Sequence, residues 1–140
     1  MSNPRPIKTP SRISVRVDAG GITAVNNRGG EIRYAVSPSA SGFNPLELLS
    51  ASLAVCTAIN LRKELGALAA GGNASPFEVV VDCVKADDLP SRVERLNLAV
   101  SLPEGLTAAA AVGVVKRAEA ACTIANTLLL STQITMGDQA

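Results

Sequence analysis

Near its beginning the chain alternates, Ile13, Val15 and Val17 being interleaved with Ser14, Arg16 and Asp18, the period of two that a half-buried strand requires. Gly20-Gly21 permits a turn. Residues 22–25 and 31–36 read as two further strands, separated by Asn26-Asn27-Arg28-Gly29-Gly30, residues that tolerate positive φ. The three segments predict an antiparallel meander. At SPSASGFNPLELL the period changes to that of a helix: Asn44 is placed as N-cap, Pro45 at the first helical position and Glu47 three residues after the cap. Leu46, Leu48, Leu49, Leu53, Val55, Cys56, Ile59 and Leu61 occupy more than one stripe, so this helix is expected to be buried all round, most readily at a subunit interface. Gly71-Gly72-Asn73 and Ser75-Pro76 then punctuate the chain before PFEVVVDCV, a β-branched strand. A second strand follows, with Leu96, Leu98, Val100 and Leu102 alternating against Asn97, Ala99 and Ser101. Pro103-Glu104-Gly105 stops it, Thr107 caps, and Ala108 to Ala121 forms an Ala-rich helix. The closing stretch CTIANTLLLSTQITM reads as a short helical turn leading into a final strand.

Length and composition narrow the possibilities. A chain of 140 residues that is 47% hydrophobic is sized for one core. The Pro-rich, polar opening predicts a lead-in over residues 1–11 followed by a single domain over 12–140. The charges nearly cancel, 13 basic against 12 acidic, so the footprint needed for nucleic-acid or anionic-membrane binding is missing. Tyr34, Phe43 and Phe77 are the only aromatics, too few for a base-stacking platform. The uncharged run from Leu48 to Leu61 is shorter than the roughly 20 residues that span a bilayer, and Arg62-Lys63-Glu64 ends it. These features predict a cytoplasmic protein with neither nucleic-acid nor membrane partners.

Histidine is absent, which removes Ser-His-Asp and Cys-His catalytic sets and any His-containing zinc site. Three widely spaced cysteines make neither a secreted disulfide framework nor a four-ligand zinc site, so no metal and no cofactor are expected. The thiols remain as the strong nucleophiles. Cys83 shares its strand face with Phe77, Val79 and Val81 and reads as a core residue. Cys56 sits in the middle of the first helix and Cys122 at the end of the second. Either can be a core thiol. A free thiol with a pKa of about 8.5 is only a few per cent thiolate at neutral pH, and lowering it to about 7 takes about 2 kcal/mol of differential stabilisation. Cys56 lies too far past Pro45 for the helix dipole to provide this, so a reactive Cys56 calls for a nearby arginine. Glu47 fits the acid of an Asn44-x-x-Glu47 capping box. It stands nine residues before Cys56, about 13.5 Å along a continuous helix, and meets that thiol only through an arginine or across a dimer interface.

The stretches GFNPLELLSASLAVCTAINLRKEL and AEAACTIANTLL resemble the two signatures of OsmC-like proteins: a Gly-x-Ser/Asn-Pro-x-Glu-Leu-Leu opening that runs into an Ala-rich helix with a cysteine, and an Ala-Glu-x-x-Cys-Pro-x-Ser-x-Thr-Leu segment. The order of elements fits the resemblance over nearly the whole chain. It implies an α/β (α+β) fold in which two subunits intertwine, antiparallel sheets from both packing around a pair of central helices. It further implies a thiol-dependent peroxidase acting in oxidative-stress defence. Cys56 would attack the peroxide oxygen, Cys122 would resolve the sulfenic acid as a disulfide, and Glu47 would position an arginine. The partners so implied are a second copy of the chain, an organic hydroperoxide and a dithiol reductant. Leu46 stands where the organic hydroperoxide resistance branch carries its acid, which places the chain in the broader OsmC-like branch. Thr123 replaces the proline of the second signature, and Val17-Asp18-Ala19-Gly20-Gly21 replaces the stretch that carries the arginine. Arg16, Arg28 and Arg33 are the nearest substitutes, Arg16 falling on the polar side of its strand. The competing reading is a non-enzymatic dimer that binds a small apolar ligand, or an oxidant sensor.

Overall fold

The computed structural model describes residues 11–137. The lead-in expected over residues 1–11 lies, but for its last residue, outside them. The chain divides into two compact units, residues 1–45 and 46–140.

In the first unit β1 (Ile13–Asp18), β2 (Gly21–Asn26) and β3 (Glu31–Arg33) form the antiparallel meander in the order β1-β2-β3. Val15 pairs with Ala24 and Ala24 with Ile32, while Arg16 pairs with Thr23 and Thr23 with Arg33. Residues opposite one another in a ladder share a face, so one side carries Ile13, Val15, Val17, Ile22 and Ile32 and the other Ser14, Arg16, Thr23, Arg33 and Asp18. The third strand is shorter than the expected 31–36. After Arg33 the backbone turns to pair with residue 43 instead: the Ala35 N–H donates to the Phe43 carbonyl and the Phe43 N–H to the Arg33 carbonyl. Gly42 makes this approach possible, because at φ +129° a side chain there would be strained and its Cβ would stand 2.8 Å from the Arg33 carbonyl oxygen. The apolar side of the meander is uncovered at its edge, Ile13, Val15 and Val17 being 61–71% exposed.

The second unit contains α1 (Pro45–Leu68), the hairpin of β4 (Glu78–Lys85) and β5 (Val93–Ser101), α2 (Ala108–Ala121) and α3 (Thr123–Leu129). Thr107 caps α2, its side chain accepting the Ala110 N–H at 3.1 Å. Leu61 and Leu65 of α1 pack with Val114 and Ala118 of α2 to form the core. Phe77, Val79, Val100 and Leu102 close it from the hairpin. At the solvent edge Arg117 of α2 donates to the Glu64 carboxylate of α1 at 2.6 Å.

The burial of α1 differs from the expectation. A single stripe, Leu53, Thr57, Leu61 and Leu65, is buried, at the i, i+4 spacing of one helical face. On the other side Val55 and Ile59 remain 57% and 64% exposed. One chain offers α1 one neighbouring helix and one hairpin, and these cover one face. The final strand expected after α3 is also not formed within the described residues. Residues 131–137 are neither helix nor strand. No helix among the described residues is long and apolar enough to cross a membrane.

Candidate functional site

The fold brings Cys56 and Cys122 together although they lie far apart in sequence. Cys56 occupies the middle of α1, one residue before the buried stripe member Thr57. Cys122 is the hinge between α2 and α3: it ends the first, its N–H donating to the Glu119 carbonyl, and begins the second as N-cap. Its extended backbone, φ −74° and ψ 105°, turns the sulfur back over the first turn of α3, where it accepts the Ala125 N–H at 3.4 Å. A cysteine thus fills a role usually taken by serine, threonine, asparagine or aspartate. A thiol is a weak acceptor and a thiolate a strong one, so this geometry favours the charged form.

The Thr57 hydroxyl lies 3.9 Å from the same sulfur, and both residues are buried, Thr57 to 3% exposure and Cys122 to 0%. The Cys56 thiol and the Ile124 N–H add to this contact. Burial by itself opposes a charged sulfur and would raise the pKa of Cys122; the Ala125 N–H, the Cys56 thiol, the Thr57 hydroxyl and the Ile124 N–H outweigh it and hold the thiol below its ordinary value of 9.0. Cys56 is half-buried and free of any disulfide, as is Cys83, while Cys122 is free and buried. The Asn60 side-chain amide donates to the Cys56 carbonyl at 2.9 Å and lies 4.0 Å from its sulfur.

Beside Cys122 opens a cavity of about 560 Å³ whose walls are chiefly apolar, Leu49, Leu53, Leu96, Leu98, Leu128 and Leu129 among them. Cys122 and Thr57 lie along it, with Glu94, Arg95 and Glu119 as its charged members. Arg95 is the guanidinium that the sequence does not single out. It stands on the polar side of β5, and its side chain lies 3.8 Å from the Glu94 carboxylate. Of the arginines considered from sequence, Arg16 and Arg33 lie on the polar face of the meander, Arg33 paired with Glu31 at 3.7 Å. Arg28 lies in the turn between β2 and β3, its N–H held by the Asn26 side chain at 2.8 Å. Glu47 is exposed in the first turn of α1, and the straight run of that helix separates it from Cys56 of its own chain. Cys83 shares a half-buried strand face with Phe77, Val79 and Val81, opposite Leu96. Among the described residues no three His, Cys, Asp or Glu side chains gather as a metal site would require.

Thr57 and Arg95 are the members of this site that the pattern of residues did not mark. Thr57 follows Cys56 directly and looks like helix filler until α2 is laid against it. The cap was legible in principle, since Cys122 stands where a helix ends and Thr-Ile-Ala-Asn-Thr begins another.

Three helices and two antiparallel sheets, with a helical cysteine meeting a second cysteine at the junction of the other two helices, define a class of mixed α+β protein. Residues 38–137 match the OsmC-like protein family. The chain therefore belongs to the OsmC-like family. Its structure is similar to that of an OsmC-like protein from Mycoplasma pneumoniae, at 17% identity with a TM-score of 0.71 over 88% of this chain and 89% of the other. It is also similar to an organic hydroperoxide resistance protein OsmC from Legionella pneumophila, at 15% identity and a TM-score of 0.60 over 86% and 89% of the two chains. An organic hydroperoxide resistance protein from Elizabethkingia anophelis matches at 18% identity and a TM-score of 0.62, again over 86% and 89%. None of the curated protein sequences is similar to this one.

Proposed function

We propose that this chain is a thiol-dependent peroxidase that reduces organic hydroperoxides through Cys56 and Cys122 and serves oxidative-stress defence in the cytoplasm. The observation that carries the reading is the meeting of two reduced thiols, one of them buried with its sulfur facing the Ala125 N–H and the Thr57 hydroxyl. In the cycle the Cys56 thiolate attacks the terminal peroxide oxygen, the O–O bond breaks, and the alkoxide leaves as the alcohol. The Cys56 sulfenic acid then condenses with Cys122, releasing water and forming the disulfide. A dithiol restores both thiols and is itself oxidised to a disulfide. The leucine-rich cavity suits the organic part of the peroxide better than it suits hydrogen peroxide.

The working unit in this reading is a homodimer. Val55 and Ile59 on α1, and Ile13, Val15 and Val17 on the meander, are large apolar side chains that a single chain leaves in water. A second copy covers them, offers residues 131–137 a sheet edge, and gives Glu47 a route to the thiols of the other subunit. Dithiothreitol-dependent consumption of cumene hydroperoxide tests the function. Wild type turns over, Cys56→Ser does not, and Cys122→Ser consumes a single equivalent. Full turnover by Cys56→Ser would overturn the assignment.

A further inference from the structure

The two sulfurs of the pair are not equivalent toward an incoming reductant. Cys56 is half-buried, whereas Cys122 is 0% exposed, its sulfur facing the Thr57 hydroxyl of α1 and the first turn of α3. Displacement at a disulfide proceeds by attack on one sulfur with departure of the other, and is fastest where the attacked sulfur is open and the departing one is stabilised as an anion. Both conditions select the same direction here. The Ala125 N–H and the Thr57 hydroxyl face the Cys122 sulfur at 3.4 and 3.9 Å. Thr57 is unusual for its place, since it interrupts the stripe Leu53, Leu61 and Leu65 with a buried hydroxyl where an aliphatic side chain would pack as well. A polar group that is buried without a partner is costly, and the partner here is the Cys122 sulfur.

We infer that reductive opening of the Cys56–Cys122 disulfide is directional: the reductant thiolate attacks the sulfur of Cys56, Cys122 departs as the thiolate, and the Thr57 hydroxyl turns toward that sulfur to hold it. The inference rests on the peroxidase reading above and adds the regiochemistry and the role of Thr57. In the step a bond forms between the reductant sulfur and Cys56 Sγ while the Cys56–Cys122 bond breaks, its electron pair staying on Cys122. The second thiolate of a dithiol then attacks the reductant sulfur bound to Cys56, closing the oxidised cyclic disulfide and releasing Cys56. Two electrons pass from the dithiol to the protein, and the protons of the dithiol pass to the released thiols or to solvent.

The experiment starts from the full-length protein oxidised with one equivalent of diamide, so that peroxide turnover is not needed. The oxidised protein is mixed with excess 2-mercaptoethanol, quenched with acid within seconds, and mapped by peptide mass spectrometry. The mixed disulfide is expected on Cys56. In parallel, Thr57→Val, close to isosteric, is expected to be reduced by dithiothreitol about tenfold more slowly, as the loss of a hydrogen bond to a charged group implies. Its Cys122 alkylation profile should move to higher pH, while Thr57→Ser should restore both. An adduct on Cys122, or a Thr57→Val protein that matches wild type in reduction rate and alkylation profile, would overturn the inference. Failure of diamide to give the Cys56–Cys122 disulfide would overturn the peroxidase reading along with it, whereas a disulfide that forms and opens at Cys122 overturns the directionality alone.

Discussion

Replacing Leu61 by alanine tests whether α1 is seated by the stripe that carries it past the thiols. Leu61 is fully buried, and its neighbours across the core are Val114 and Ala118 of α2, themselves 0% and 1% exposed. These are short side chains close to their own backbone, so they cannot swing in to fill the space left by a leucine. Loss of the buried methyl and methylene groups together with a cavity that collapses little places the cost at about 3–4 kcal/mol, in the upper part of the range for such replacements. With a urea slope of about 2 kcal/mol per molar, the unfolding midpoint should fall by about 1.5–2 M with the slope unchanged. The assay is urea unfolding followed by circular dichroism at fixed protein concentration, because a dimer makes the midpoint concentration-dependent. Ile59→Ala, two residues earlier on the same helix and facing outward, is the control: its cost should grow as protein is diluted, whereas that of Leu61→Ala should persist at every concentration. A loss under about 1 kcal/mol for Leu61→Ala would refute the placement of the core between α1 and α2.

Four other outcomes are expected. If α1 packs on a second copy as proposed, Ile59→Glu should give a monomer by light scattering where wild type is a dimer, since it places a charge on the uncovered face of α1. Thr107→Ala should cost about 1 kcal/mol of stability through the lost cap of α2. Leu128→Asn, on the cavity wall, should raise KM for cumene hydroperoxide several-fold, about 1 kcal/mol of lost apolar contact, and leave hydrogen peroxide kinetics nearly unchanged. The last concerns pH. The folded pKa of Cys122 lies below its ordinary value of 9.0, so between those two values the unfolded chain holds more protons and stability rises with pH. The contribution is complete above 9.0 and disappears as pH falls through the folded value. Cys122→Ala should flatten this rise in a series of urea midpoints, and an unaltered slope would count against the thiolate-holding geometry.

What could be read directly from the chain was local. Ala108 to Ala121 and the Thr107 cap emerge at their expected positions because an Ala-rich run bounded by Gly105 and a capping threonine needs no tertiary help. The meander and the β4–β5 hairpin follow from strict alternation, and Arg16 stands on the polar face as alternation requires. What escaped depended on neighbours. The shortening of β3 follows from residue 43 returning to pair beside Tyr34, a contact that no periodicity announces. The one-sided burial of α1, which leaves Val55 and Ile59 exposed, and the irregular course of residues 131–137 depend on what packs against those segments, which periodicity along the chain does not announce. In the site, Cys56, Cys122 and Glu47 were marked by their motifs, but Thr57 and Arg95 gain meaning only when α2, α3 and β5 are set around Cys122.

In the proposed cycle the two thiols act as one redox unit, and a titration without reductant tests that most directly. Fully reduced protein is given one equivalent of cumene hydroperoxide per chain, free thiols are counted, and the cross-linked peptides are sequenced by mass spectrometry. Stoichiometric loss of the peroxide, loss of two thiols per chain, and a single intrachain link between Cys56 and Cys122 are expected. Peroxide left unconsumed with all thiols intact, or oxidation that falls on Cys83, would contradict the proposed cycle.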